Sequence, residues 1–154
     1  MNTEGYFLNK DKILAQISDK GYVIFPGGGI DERETLEDGI IRETLEETGA
    51  VVQSLKLISK LKIVWGQNWA KTAKQKKRYY QFQGDEMYFF CGRIDHFEDN
   101  LKMLEDTWKC EKLILLDDVI SYFEKRRPFS KDVKRYRETQ LSILKKLKKE
   151  LSEK

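Results

Sequence analysis

Residues 28–50 read GGIDERETLEDGIIRETLEETGA, and most of what the chain reveals about itself lies in these 23 positions. They follow Pro26-Gly27, and with Gly28-Gly29 they form a Pro-Gly-Gly-Gly run in which no regular element is expected to continue, so a loop should follow. From Thr35 to Thr48 the positions Ile40, Ile41, Thr44, Leu45 and Thr48 recur at helical spacing, and Gly49 stands where a helix C-cap belongs. On a helix turning about 100° per residue, Glu43, Glu46 and Glu47 fall within an arc of roughly 100°, beside the arc filled by residues 40–48 of apolar or methyl character. Three carboxylates therefore face one spot. Like charges at these spacings cost a helix about 0.2–0.5 kcal/mol per pair, and a cation would relieve them. Oxygen-only ligation selects a hard ion, Mg²⁺ or Mn²⁺, which keeps waters and bridges to phosphate oxygens, so pyrophosphate substrates follow. The glycines let a backbone carbonyl approach the metal, or backbone N–H groups approach a phosphate, without a side chain in the way. Arg42 can pair with Glu46 one turn on and orient it.

Taken alone, Glu-x-x-Glu-Glu describes a solvated acidic helix face. The full pattern is Gly28, five residues, Glu34, seven residues, then Arg42-Glu43-Thr44-Leu45-Glu46-Glu47-Thr48-Gly49-Ala50. It resembles the box of the Nudix hydrolase family, and every fixed position is met. Two residues depart from the usual pattern. Thr44 stands where an apolar residue is usual and should pack through its methyl, and Arg33 stands where many members carry glycine. The flanking order of elements resembles the family over most of the chain.

The resemblance implies an α/β fold, a Nudix-type α/β/α sandwich with a mixed sheet, here with an added C-terminal amphipathic helix at about residues 129–154 of a single domain spanning 1–154. It implies attack of water on phosphorus assisted by divalent ions, with Glu43, Glu46 and Glu47 as metal ligands helped by the backbone carbonyl near Gly28. The catalytic set is then Glu43, Glu46, Glu47 and Arg42, with Glu34 stabilising loop and helix. The general base is expected at Glu111, just before the last strand, with Glu105 or a box glutamate as alternatives.

Outward from the box, residues 5–8 and 12–17 read as strands around the turn Asn9-Lys10-Asp11, and residues 22–25 as a third short strand. Residues 51–64 and 86–91 read as strands, 112–116 as the last one, and 117–123 as a short helix. Pro128 breaks the pattern before a helix whose stripe is Val133, Tyr136, Leu141, Leu144, Leu147 and Leu151. Residues 6–8 follow so short a lead that they read as an exposed edge on which a second copy could pair to form a homodimer. Between the middle strands, residues 71–78 form a basic run flanked by Trp65, Trp69, Tyr79 and Tyr80. Arg78, Lys77, Tyr80 and Trp69 are the substrate candidates there, for clamping phosphates and stacking a base, though a solvated loop is the simpler reading. Glu86 is a candidate second-metal ligand or an ordinary strand-entry glutamate. His96, the one histidine, reads as a turn residue.

Composition narrows the class of partner. Of 154 residues, 40% are hydrophobic, enough for one core. Lys+Arg 29 against Asp+Glu 26 leaves +3, too little to mark a nucleic-acid binder. Cys91 and Cys110 have no metal-site spacing, which fits a reducing, cytoplasmic setting, and no leader or membrane-spanning run is visible. The expected partner is a small nucleotide: a modified nucleoside triphosphate, a nucleotide sugar or ADP-ribose. The alternatives are removal of pyrophosphate from an RNA 5′ end, or a regulator that binds nucleotide without turnover.

Overall fold

A computed structural model describes residues 1–18, 21–63, 85–98, 108 and 112–153. Strands β1 (Asn2–Asn9) and β2 (Lys12–Leu14) form a hairpin across Lys10-Asp11, with Leu8 opposite Ile13 and Lys10 at φ 59 in the tight turn. The second strand expected from residues 12–17 is split at Ala15, and β3 (Gln16–Ile17) pairs instead with β4 (Val23–Ile24) in a separate two-stranded sheet. After β5 (Gly27–Gly29) come helix α1 (Leu36–Thr48), strands β6 (Ala50–Ile63), β7 (Asp85–Phe97) and β8 (Leu113–Leu115), and helices α2 (Leu116–Glu124) and α3 (Lys134–Ser152). The larger sheet runs β6-β7-β1-β2-β8 with β5 beside β1. It is mixed, since β1 is parallel to β7 and antiparallel to β2 and β5.

Several expectations are corrected here. The glycine run is a strand, with Gly27 opposite Glu4, Gly28 opposite Thr3 and Gly29 opposite Asn2. Local propensity disfavours it, but the open edge of β1 supplies backbone partners, and pairing them outweighs propensity. Residues 6–8 are not an edge: β7 lines one side of β1, and β2 and β5 share the other. Tyr6 and Phe7 point to opposite faces and both are fully buried, as expected of a strand apolar on both sides. His96 lies on β7 opposite Val51, because β6 offers ladder partners for β7 beyond Cys91, as far as Phe97. The C-terminal helix starts at Lys134, so residues 129–133 precede it.

Alternation along β1 and β7 divides the core in two. Tyr6 and Phe89 join Phe25 with Val119 and Phe123 of α2 and Leu141 and Leu144 of α3. Phe7 and Phe90 join Leu14 and Val52 with Ile40 of α1 and Trp108. The sheet is thus sandwiched, with α1 on one face and α2 and α3 on the other, which is the α/β/α arrangement that the resemblance implied.

Helix α3 is latched to β1 by a buried carboxylate. Glu4 accepts hydrogen bonds from Tyr6 Oη (2.7 Å), Gln140 Nε2 (3.1 Å) and Tyr136 Oη. Burial pushes its pKa up, and the three donors oppose that shift.

Candidate active site

Helix α1 is well defined at both ends. Thr35 Oγ1 accepts from Asp38 N (3.1 Å), Glu37 and Asp38 occupy the first turn, and Gly49 at φ 79 donates its N–H to Leu45 O (2.9 Å). Lys112 Nζ donates to Thr48 O (2.8 Å), placing a cation on the carbonyl end. Gly39, Ile40, Thr44 and Thr48 form the buried face. Thr44 packs fully buried, but its Oγ1 has no hydrogen-bond partner among the described residues, a cost of about 1–3 kcal/mol that an apolar residue would avoid.

Seating this face on the sheet brings the carboxylates to the glycine strand. Glu47 Oε1 accepts from Gly27 N (2.9 Å), and a Cβ on Gly28 would lie 2.7 Å from the Glu43 carboxyl carbon. The strand is held from the other side by Thr3 Oγ1, which donates to Gly28 O (3.2 Å). Glu46 is the more exposed of the three, its side chain 42% accessible.

Arg42 organises the loop between strand and helix. Its Nε and Nη2 grip Glu34 in a bidentate pair at 2.7 and 2.9 Å, while Nη1 reaches Glu43 (3.1 Å) and Glu46 (3.2 Å) and Nη2 reaches Gly29 O (3.3 Å). The expected pairing with Glu46 is present, yet Glu34 is the principal partner. Glu34 also accepts from Asp31 N (3.0 Å), closing the loop. The Arg42 hydrogen bond, followed by the Asp31 N–H, lowers the Glu34 pKa to about 2, and Glu34 in turn raises that of Arg42.

The donor set of Glu43, Glu46, Glu47 and the glycine carbonyls is all oxygen and suits a hard divalent ion. Here, though, Glu43 and Glu46 turn to Arg42 and Glu47 to the Gly27 N–H. Among the described residues no three acidic, imidazole or thiol groups stand together as a ready coordination shell. Glu43 and Glu47 already lie against the glycine strand, so the backbone that would present them to an ion is in place.

Of the remaining candidates, Glu111, Glu105, Arg78, Lys77, Tyr80 and Trp69 lie outside the described residues. Glu86 opens β7, where Tyr88 Oη donates to it (2.5 Å) and Lys60 lies 3.4 Å away. The Tyr88 bond, then Lys60, lowers its pKa. Thr3 and Lys112, which steady the glycine strand and the helix end, carried no signal in the sequence, because each acts on a residue 25 or 64 positions away.

The chain matches the family profile of the NUDIX domain over residues 3–133. It is 31% identical over 107 residues to an RNA pyrophosphohydrolase from Sulfurovum sp., covering 66% of each chain. It is 42% identical over 52 residues to a Bacillus subtilis protein named as an 8-oxo-dGTP diphosphatase, a match that spans 34% of this chain and only 32% of that relative's length. The fold matches the mutator MutT protein of Bacillus halodurans with a TM-score of 0.53 at 21% identity, covering 91% of this chain and 80% of that one. With the box geometry above, these matches show that the chain belongs to the Nudix family.

Proposed function

We propose that the substrate is a nucleoside 5′-triphosphate end and that cleavage of its phosphoanhydride depends on Mg²⁺. The observation that carries this reading is the side-chain-free strand Gly27–Gly29, with Glu43 and Glu47 of α1 against its backbone. A polyphosphate can lie along such a strand without steric opposition, with carboxylates beside it to hold its counter-ion. The names of the relatives support a triphosphate over a nucleotide sugar or ADP-ribose, since one is called an 8-oxo-dGTP diphosphatase and another an RNA pyrophosphohydrolase.

Glu43, Glu46 and Glu47 are the residues that would hold the ion. When bound, it would supply charge neutralisation on the phosphoryl oxygens and a lower pKa for the attacking water. The protein's own part is positional. The Glu34–Arg42 pair fixes the loop and restrains Glu43 and Glu46, the glycine strand receives the phosphates, and a carboxylate accepts the proton as the water oxygen bonds to phosphorus and the bridging oxygen leaves. Glu47, anchored at Gly27 N, is the described residue best placed for that last role; Glu111 is the other candidate.

The test is release of pyrophosphate or phosphate from free nucleoside triphosphates, 5′-triphosphorylated RNA, nucleotide sugars and ADP-ribose, with and without Mg²⁺. Turnover confined to the triphosphates, dependent on Mg²⁺ and reduced about a hundredfold or more in Glu47→Gln, is the expected result. Turnover restricted to ADP-ribose or nucleotide sugars, or unaffected by the substitution, would reject the reading.

A further inference from the structure

The Glu4 side chain is only 6% exposed and lies on the α3 face, since Tyr6, two residues on along β1, belongs to the core under α2 and α3. Both of its carboxylate oxygens are occupied there, Oε2 by Tyr6 Oη and Gln140 Nε2, Oε1 by Tyr136 Oη. Gln140 Oε1 accepts from Arg137 Nη1 (2.8 Å), so one amide stands between the Arg137 guanidinium and the Glu4 carboxylate. Arg137 itself stays outside the core: with Arg126 it lines a cavity of about 240 Å³ walled by Tyr22, Tyr122 and Phe129.

The backbone of Glu4 meets a different partner. It is opposite Gly27, and the next N–H, that of Gly5, donates to Pro26 O (2.8 Å). The two strands touch with no room to spare, because a Cβ on Gly27 would stand 2.0 Å from Thr3 O and 2.9 Å from Glu4 Cα. Gly27 therefore follows any shift of β1. Its N–H donates in turn to Glu47 Oε1 (2.9 Å). Tyr136 and Gln140 of α3 are thus linked to Glu47 of α1 through Glu4 and Gly27, although the sheet separates the two helices. Apolar side chains would seal α3 on β1 equally well, since replacing buried polar groups by well-packed apolar ones is often neutral or stabilising. What converging donors add is a fixed position for one strand residue, and that residue is the one facing Gly27.

We propose that Glu4 is a positioning residue for Glu47. Held from the α3 side by Tyr136, Gln140 and Tyr6, it sets the place of the Gly27 N–H, and that N–H holds the Glu47 carboxylate against the glycine strand. The consequence for turnover rests on the reading above that Glu47 takes part in the reaction, whereas the contact chain is measurable without turnover.

The test is hydrogen exchange and the ¹H–¹⁵N shift of the Gly27 amide in the whole protein without metal, for native protein, Glu4→Gln, Tyr136→Phe, Glu47→Gln and Leu147→Ala. Leu147 is buried on α3 and is not a donor to Glu4, so Leu147→Ala reports what loosening the helix does by itself. At temperatures equally far below each melting point, the Gly27 amide should exchange at least about tenfold faster in Tyr136→Phe and Glu4→Gln than in Leu147→Ala. Its shift should move in the direction seen in Glu47→Gln. Tyr136→Phe leaves the carboxylate in place and carries the test if Glu4→Gln does not fold. With Mg²⁺ and a nucleoside triphosphate, Tyr136→Phe should lower kcat about threefold or more with KM within about twofold, and should cause no further loss when combined with Glu47→Gln. Gly27 exchange no faster than in Leu147→Ala, or kcat losses that multiply in the double variant, overturns the proposal. If Glu47→Gln alone leaves turnover unchanged, the reading of Glu47 in the reaction fails, and Gly27 exchange still decides whether Glu4 positions it.

Discussion

Arg42 divides one guanidinium among Glu34, Glu43, Glu46 and a glycine carbonyl, and the charge balance of the site follows from how that division is weighted. The bidentate grip goes to Glu34, while the two box glutamates share Nη1. Glu34 therefore takes the larger share of the Arg42 charge, and Glu43 and Glu46 divide the rest. Its folded pKa is about 2 against an ordinary 4.5, so the stability it contributes is present above pH 4.5 and is lost as pH falls towards 2. In acid titration followed by thermal melting, native protein should lose its advantage over Glu34→Gln across that window. A constant difference between the two down to pH 2 would show that Glu34 is not held as the geometry indicates. The Nudix box spacing made Glu34 and Arg42 legible as a pair of roles, but their direct contact was not anticipated, since Glu46 at i+4 is the nearer partner by helical periodicity.

At the scale of elements, the site depends on a strand of three glycines packed against one helix. Gly27 has φ 153, and a Cβ there would lie 2.0 Å from the Thr3 carbonyl oxygen, which is backbone and cannot swing away. Gly28 has no such strain, and its added Cβ would meet the Glu43 carboxylate at 2.7 Å, a flexible group. The two alanine substitutions should therefore separate. Gly27→Ala should lower the melting temperature by several degrees by forcing β5 off β1, at a cost of about 2 kcal/mol or more. Gly28→Ala should leave the melting temperature within about a degree or two and reduce turnover at least tenfold by displacing Glu43. Melting curves and initial rates on the two variants check this, and equal effects on both quantities would argue against the division. Pro-Gly-Gly-Gly was expected to be a loop because the propensity of a glycine run contains no information about β1, whose exposed backbone groups decide its conformation.

Across the whole molecule, the two faces of the sheet have different duties. One carries α1 and the box carboxylates; the other carries α2 and α3, the Glu4 latch and the aromatic cavity. Glu4 joins the two functions, because its backbone is opposite Gly27 and its side chain is held by α3. Tyr136→Phe removes one donor from that buried carboxylate, so it should destabilise the chain by about 1–3 kcal/mol and lower the melting temperature by several degrees. A melting temperature equal to that of native protein would show that the latch does not hold the helix. No helix among the described residues is long and apolar enough to cross a membrane.

By itself the sequence determined helix α1 with its Gly49 cap, the three carboxylates on one side of it, the first hairpin and the amphipathic stripe of α3. These are properties of residues within a few positions of one another, where periodicity and capping chemistry act. Only the tertiary structure decided that β1 is interior, that the glycine run is its partner strand, that α3 seals the far face through Glu4, and that Arg126 and Arg137 converge on one cavity. Each of these joins groups distant in the chain, and the hydrogen bonds and buried area that fix them exist only once the sheet has brought those groups together.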